Sequence, residues 1–163
     1  MIQKGKAVRR LKGSLAEVRG YALRLLNYRS RSRKEMLERL GQKGFDQSHI
    51  NNVMEFLERA KLINDELLAS DLFRQSTERK YLGCRGVRMF MAKRGIPRDL
   101  IDKTMSEHTG EMEEMSARKF IGKKLDLLSR HPQDVVKRRL WGMLQRRGYS
   151  ITVISKIFRE IEL

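Results

Sequence analysis

One cysteine, two prolines and one tryptophan are spread through 163 residues, and each scarcity closes off a class of protein. A lone Cys84 allows no intrachain disulfide framework and no thiolate-rich metal cluster; a reducing, cytoplasmic setting is expected. Pro97 and Pro132 are the only strong helix breakers of their kind. No Asn-Gly or Asp-Gly pair marks a hairpin, and no alternating run of Val, Ile and Thr marks a strand. No apolar run approaches the ~18 residues of a membrane span. The first residues, Met1 to Lys6, are basic but lack the apolar stretch of a secretory leader. His49, His108 and His131 lie far apart, near no acid–His or Cys–His pattern, and are expected at the surface or at helix caps. Phosphate-binding loops, H-E-x-x-H and paired carboxylates in a Gly-rich frame are missing. Cys84 is expected to be a small filler. No enzyme activity, metal or cofactor is expected.

What is present forms helices. Ala, Leu, Met, Glu, Lys and Arg dominate, and with only 7% aromatic residues a core must rest on Leu, Ile, Val and Met. The expected class is all-α. Charge is the loudest feature: 36 Lys and Arg against 20 Asp and Glu give +16, which attracts polyanions, nucleic acid first among them.

Three basic-Gly-apolar triplets recur: Lys43-Gly44-Phe45, Arg94-Gly95-Ile96 and Arg147-Gly148-Tyr149, with glycines 51 and 53 residues apart. Eight residues before each glycine stand Met36, Val87 and Leu140, and four before stand Leu40, Met91 and Leu144. Six residues after come Ile50, Ile101 and Ile154, and ten after come Met54, Met105 and Phe158. These offsets are helical, so each glycine separates two helices with inward apolar stripes. Glycine there takes the left-handed conformation that ends a helix. Ser14-Leu15-Ala16-Glu17 and Ser32-Arg33-Lys34-Glu35 read as capping boxes. Asp46 and Ser150 stand at N-caps, Asn64 or Asp65 caps a fourth helix, and Pro97 suits a first turn. Helices are predicted near 15–29, 33–42, 47–60, 65–80, 85–94, 98–107, 113–129, 133–146 and 151–161. The resulting organisation is a basic arm over 1–13 followed by three-helix repeats over 14–63, 64–110 and 111–163. Repeats of this size bury too little alone and are expected to stack into an elongated, slightly curved array of roughly 60–80 Å.

Charge is unevenly placed. Residues 1–20 carry +5, 21–63 carry +4, 64–113 carry zero and 114–163 carry +7. Candidate nucleic-acid contacts are Arg29, Arg31, Arg33 and Lys34 in the first repeat, with Lys43 beside its glycine. Lys137, Arg138 and Arg139, then Arg146 and Arg147, are their counterparts in the third, and Arg85 and Arg88 add to them in the second. Asp65, Glu66 and Asp71 in the neutral middle are candidate protein contacts. Trp141 and Tyr149 are expected to pack within their repeat; Tyr28 and Tyr81 are open to base stacking.

The chain resembles the RecX family of regulators of the RecA recombinase over about residues 20–163. The likeness starts in Tyr21-Ala22-Leu23-Arg24-Leu25-Leu26 and Arg29-Ser30-Arg31-Ser32-Arg33-Lys34-Glu35-Met36-Leu37. It continues through Leu40, Lys43-Gly44-Phe45 and Val53-Met54-Glu55-Phe56-Leu57. Leu62-Ile63-Asn64-Asp65-Glu66 and Ala69 follow, then Gly83-Cys84-Arg85-Gly86-Val87 and Arg94-Gly95-Ile96. Leu68 stands where an aromatic residue is usual, and Cys84 and Gly86 stand where proline and a basic residue are common; a weaker fifth helix is expected from these departures. The resemblance implies a regulator in the groove of the RecA–DNA filament, limiting its growth and its activities in recombination, repair and the SOS response; a monomer is expected. Its partners are then the recombinase and single-stranded DNA, with no membrane. Residues alone also allow a stand-alone DNA- or RNA-binding protein, or a scaffold for acidic proteins.

Overall fold

The computed structural model describes residues 13–106 and 108–161, so the basic arm lies outside the described residues except for Gly13. All regular structure among the described residues is helical, as the composition implies. The chain divides into two compact units, Met1–Leu68 and Ala69–Leu163.

The first unit holds α1 (Leu15–Tyr28), α2 (Arg33–Gln42), α3 (Gln47–Arg59) and the start of α4 (Asp65–Arg74). Ser14 and Glu17 form the reciprocal capping box: Glu17 N donates to Ser14 Oγ at 3.3 Å, and Ser14 N to the Glu17 carboxylate at 2.7 Å. At α2 the Ser32 hydroxyl accepts from Glu35 N at 3.1 Å, while the Glu35 carboxylate takes both guanidinium arms of Arg29 at 2.9 Å. Asp46 caps α3 by accepting from Ser48 N. Asn64 caps α4, accepting from Glu66 N and Leu67 N. That leaves the Asp65 carboxylate to accept from Arg33 N at 2.9 Å, where it satisfies a free donor in the first turn of α2. The three helices close over Val18, Ala22, Met36, Leu40, Ile50, Val53, Met54 and Leu57, and α1 and α2 both pack on α3.

The second unit continues from α4 through α5 (Cys84–Lys93), α6 (Arg98–Met105), α7 (Gly110–Leu128), α8 (Gln133–Arg146) and α9 (Ile151–Glu160). The single helix expected over 65–80 instead ends at Arg74 and widens into a π-helical turn, Gln75–Arg79. The cause is local: the Ser76 and Thr77 hydroxyls both donate to the Phe73 carbonyl, at 2.7 and 3.1 Å, and compete for an acceptor of the helical ladder. Helix α7 starts earlier than its apolar pattern suggests, because Thr109 supplies a cap by accepting from Met112 N. Pro97 sits at the N-cap of α6 rather than inside its first turn. Ala117, Phe120, Ile121, Leu140, Leu144, Ile154, Ile157 and Phe158 form the core beneath α7, α8 and α9.

The three repeat glycines take positive φ: 82° at Gly44, 75° at Gly95 and 84° at Gly148. After the last two, Ile96 N donates to Met91 O and Tyr149 N to Leu144 O, closing the helix ends. The spacing that defines the repeat is therefore the spacing of three equivalent helix stops.

Within the second unit the turn before α5 is seated on the turn after α8. Gly83 N donates to Arg147 O at 3.0 Å and Arg85 N to Gly148 O at 3.2 Å. A Cβ on Gly86 would overlap the Arg147 carbonyl. Glu113 of α7 is 6% exposed, and its carboxylate accepts from Cys84 N at 2.8 Å, capping a helix whose own N-cap, Gly83, has no side chain. At the two departures, the amide of Cys84 is capped from α7, and Gly86 admits the α8–α9 turn. The buried Tyr149 hydroxyl donates to Ser116 Oγ at 3.0 Å, which donates to the Thr77 carbonyl at 3.3 Å. Burial pushes the Tyr149 hydroxyl up to about 12, so it remains a donor.

Candidate nucleic-acid interface

The second helix of each repeat is anchored inward at the positions eight and four residues before the glycine. A residue two positions before the first anchor is turned about 200° away from it and must face solvent. Lys34, Arg85 and Arg138 occupy this position on α2, α5 and α8, and all three are exposed. None makes an ion pair among the described residues. Lys137 and Arg139 flank Arg138 and are also exposed; Arg139 lies 2.8 Å from His131 Nε2. Lys43 and Arg146 are exposed at the C-terminal ends of α2 and α8.

Other candidates have partners within the chain. Arg29 is locked to Glu35, and that hydrogen bond raises its already high pKa. Arg31 is 7% exposed, and its Nε donates to the Leu25 carbonyl at 3.3 Å, satisfying an acceptor at the end of α1. It is a helix-end lock, which a count of charges does not distinguish from a surface cation. Arg33 pairs with Glu58 at 2.7 Å. Arg88 pairs with Asp102 and holds its carboxyl below the usual range through that hydrogen bond. Arg147 lies over the Phe120 ring at 4.1 Å and donates to the Lys80 carbonyl. Among the acids, Asp65 caps α2, Asp71 pairs with Arg74 at 2.8 Å, and Glu66 is exposed.

The aromatic residues divide as expected where packing was anticipated. Trp141 meets Phe158 edge-on at 5.6 Å, and Tyr149 is buried. Tyr28 is 83% exposed at the end of α1. Tyr81 lies beneath the Lys123 ammonium, 4.6 Å from the ring centroid.

One sequence expectation needs correction. Cys84 does have a histidine: His108 Nδ1 lies 3.3 Å from its Sγ, and His108 is half-buried against Phe73 rather than on the surface. The pair is 24 residues apart and meets only because the α6–α7 turn returns to the start of α5. Its electrostatics oppose nucleophilic chemistry. Burial first, then the Glu113 charge, push the Cys84 thiol up to about 11, while burial lowers the His108 imidazole. Both groups are therefore held in their neutral forms, a thiol beside an imidazole.

Comparison with known proteins agrees with this arrangement. Residues 19–57 match the first three-helix domain of RecX, and residues 113–158 match the third. A regulatory protein RecX of Corynebacterium efficiens is 35% identical over 150 residues, covering 89% of this chain and 71% of the relative. The chain belongs to the RecX family. A RecX relative from Chlorobium limicola is 30% identical over 140 residues, covering 86% of each chain. The crystal structure of RecX from Lactobacillus salivarius superposes with a TM-score of 0.74 at 20% identity, covering 91% of this chain and 96% of that one. This RecX chain is thus an all-α array of three-helix repeats, and no helix among its described residues is long and apolar enough to cross a membrane.

Proposed function

We propose that this RecX protein regulates a RecA-type recombinase by binding the recombinase–DNA filament and limiting its growth, ATP hydrolysis and strand exchange. The observation that carries the reading is an exposed cation, with no ion pair among the described residues, at one helical position of all three repeats: Lys34, Arg85 and Arg138. A filament repeats phosphates and protein surfaces at fixed intervals, and tandem repeats with a recurring cation are a fitting ligand for it. Linked weak contacts also bind far better together than apart. The relatives' name, regulatory protein RecX, supports the same reading. In this proposal the chain acts as a cytoplasmic monomer, by occupancy and without catalysis. A basic arm precedes repeats over 14–63, 64–110 and 111–163, and Glu66 and Asp71 are offered to protein rather than to DNA.

The test compares binding to recombinase-coated and bare single-stranded DNA at equal salt. Preference for the coated strand is expected. Equal or tighter binding to the bare strand, with log affinity falling steeply with log salt, would replace this reading with that of a stand-alone nucleic-acid binder.

A further inference from the structure

We propose that the first unit carries a site for one nucleotide of a single strand, in the cleft between α1 and the α2–α3 turn. The proposal rests on the nucleic-acid contact proposed above and gives it a location that the charge runs do not mark. The cleft has a volume of about 450 Å³, within the range of small-ligand sites. Its α1 wall is made low by Ala16 and Gly20, one turn apart. Its floor is the edge-to-face pair of Tyr21 and Phe45, with ring centroids 5.6 Å apart.

Two cations stand over this floor. The Arg24 guanidinium and the Lys43 ammonium lie 5.9 and 5.8 Å from the Tyr21 ring centroid. Both side chains are exposed and neither makes an ion pair among the described residues. Glu17 also lines the cleft, but its carboxylate is held by Ser14 N at 2.7 Å in the capping box, beside the positive end of α1. An aromatic floor beneath two exposed cations fits a planar group bearing an anion. The base lies against Tyr21 and Phe45, and its phosphodiester lies between Arg24 and Lys43. Duplex DNA keeps its bases stacked inside, so a single strand fits and a duplex does not. Residues 1–12 are an unsuitable occupant on charge alone: they contain five Lys and Arg and no acid.

The test uses the full chain and a fluorescein-labelled oligodeoxythymidylate carrying 5-iododeoxyuridine. Arg24→Gln and Lys43→Gln should each flatten the salt dependence by about 0.7 in slope. Gly20→Leu, which fills the cleft without changing charge and favours the helix, should weaken binding roughly ten-fold. Photocrosslinks should map to Tyr21 or Phe45 and vanish in Gly20→Leu. Ala16→Leu serves as a second filling variant, and circular dichroism confirms that each variant is folded. Unchanged affinity in both filling variants, or crosslinks confined to α8, would overturn the site. So would displacement of the strand by thymidine monophosphate at equal nucleotide concentration, which would reassign the cleft to free nucleotides. Filament binding measured in parallel separates the two proposals: its retention with a normal bare-strand profile in all variants defeats only the cleft.

Discussion

Gly86 and Gly148, 62 residues apart, touch backbone to backbone: a Cβ on Gly148 would collide with the Gly86 amide, and one on Gly86 with the carbonyl just before Gly148. A helix start in one repeat is thereby fitted against a helix stop in the next. Glycine is needed on both sides, and at Gly148 the φ of 84° adds a second requirement.

Replacing Gly86 by Ala should therefore destabilise the protein by about 1–3 kcal/mol, because backbone must shift to admit the methyl group. Gly122→Ala is the control. Gly122 lies within α7 with nothing near its missing Cβ, and the change should stabilise by about 0.5–1 kcal/mol. Urea unfolding of the two variants checks the contrast, and equal effects would mean that the close approach does not exist.

Gly44 tests the repeat itself. It has φ of 82° at the end of α2, and Gly44→Val should lower stability by about 1 kcal/mol or more. A midpoint unchanged in urea would show that the triplet is not a helix stop.

The half-buried Cys84–His108 pair predicts opposite pH effects at the two ends of the scale. The His108 imidazole is lowered in the folded state, so below pH about 6.5 the unfolded chain takes its proton first. Stability falls as pH drops through that range, and His108→Gln should remove this part of the slope. The Cys84 thiol is raised to about 11, so the unfolded chain ionises first and stability falls as pH rises above about 9. At neutral pH the thiol should react with Ellman's reagent far more slowly in native protein than in urea.

The cations should separate by role. Lys34→Ala, Arg85→Ala and Arg138→Ala should leave melting unchanged and weaken filament binding, each reducing the salt slope by about 0.7–0.9 if it meets a phosphate. Arg31→Ala should do the reverse: it is buried at the end of α1, and its loss should cost about 1–3 kcal/mol of stability. Thermal melts and salt-dependent binding on the same variants decide the assignment.

Local chemistry made most of the helical layout legible. The glycine spacing located three helix stops, and Ser14, Asp46 and Ser150 located helix starts, because caps and stops act within one turn of chain. The π-helical turn at Gln75–Arg79 was not legible as such, since Ser76 and Thr77 are compatible with an ordinary helix as well. Features built from distant residues were out of reach. Glu113 capping α5, His108 beside Cys84 and Gly86 beside Gly148 each join positions 24 to 62 residues apart. The candidate interface suffered in the same way: runs of arginine are visible in a sequence, but Glu35 and Glu58, which engage Arg29 and Arg33, are identified only by folding.

The central claim is tested most directly by DNA-dependent ATP hydrolysis of a RecA-type recombinase on single-stranded DNA, with filament length followed in the same reaction. The account predicts that both fall at less than one RecX molecule per recombinase subunit, and that the effect fades as salt rises. Unchanged hydrolysis and unchanged filament length at saturating protein would contradict it.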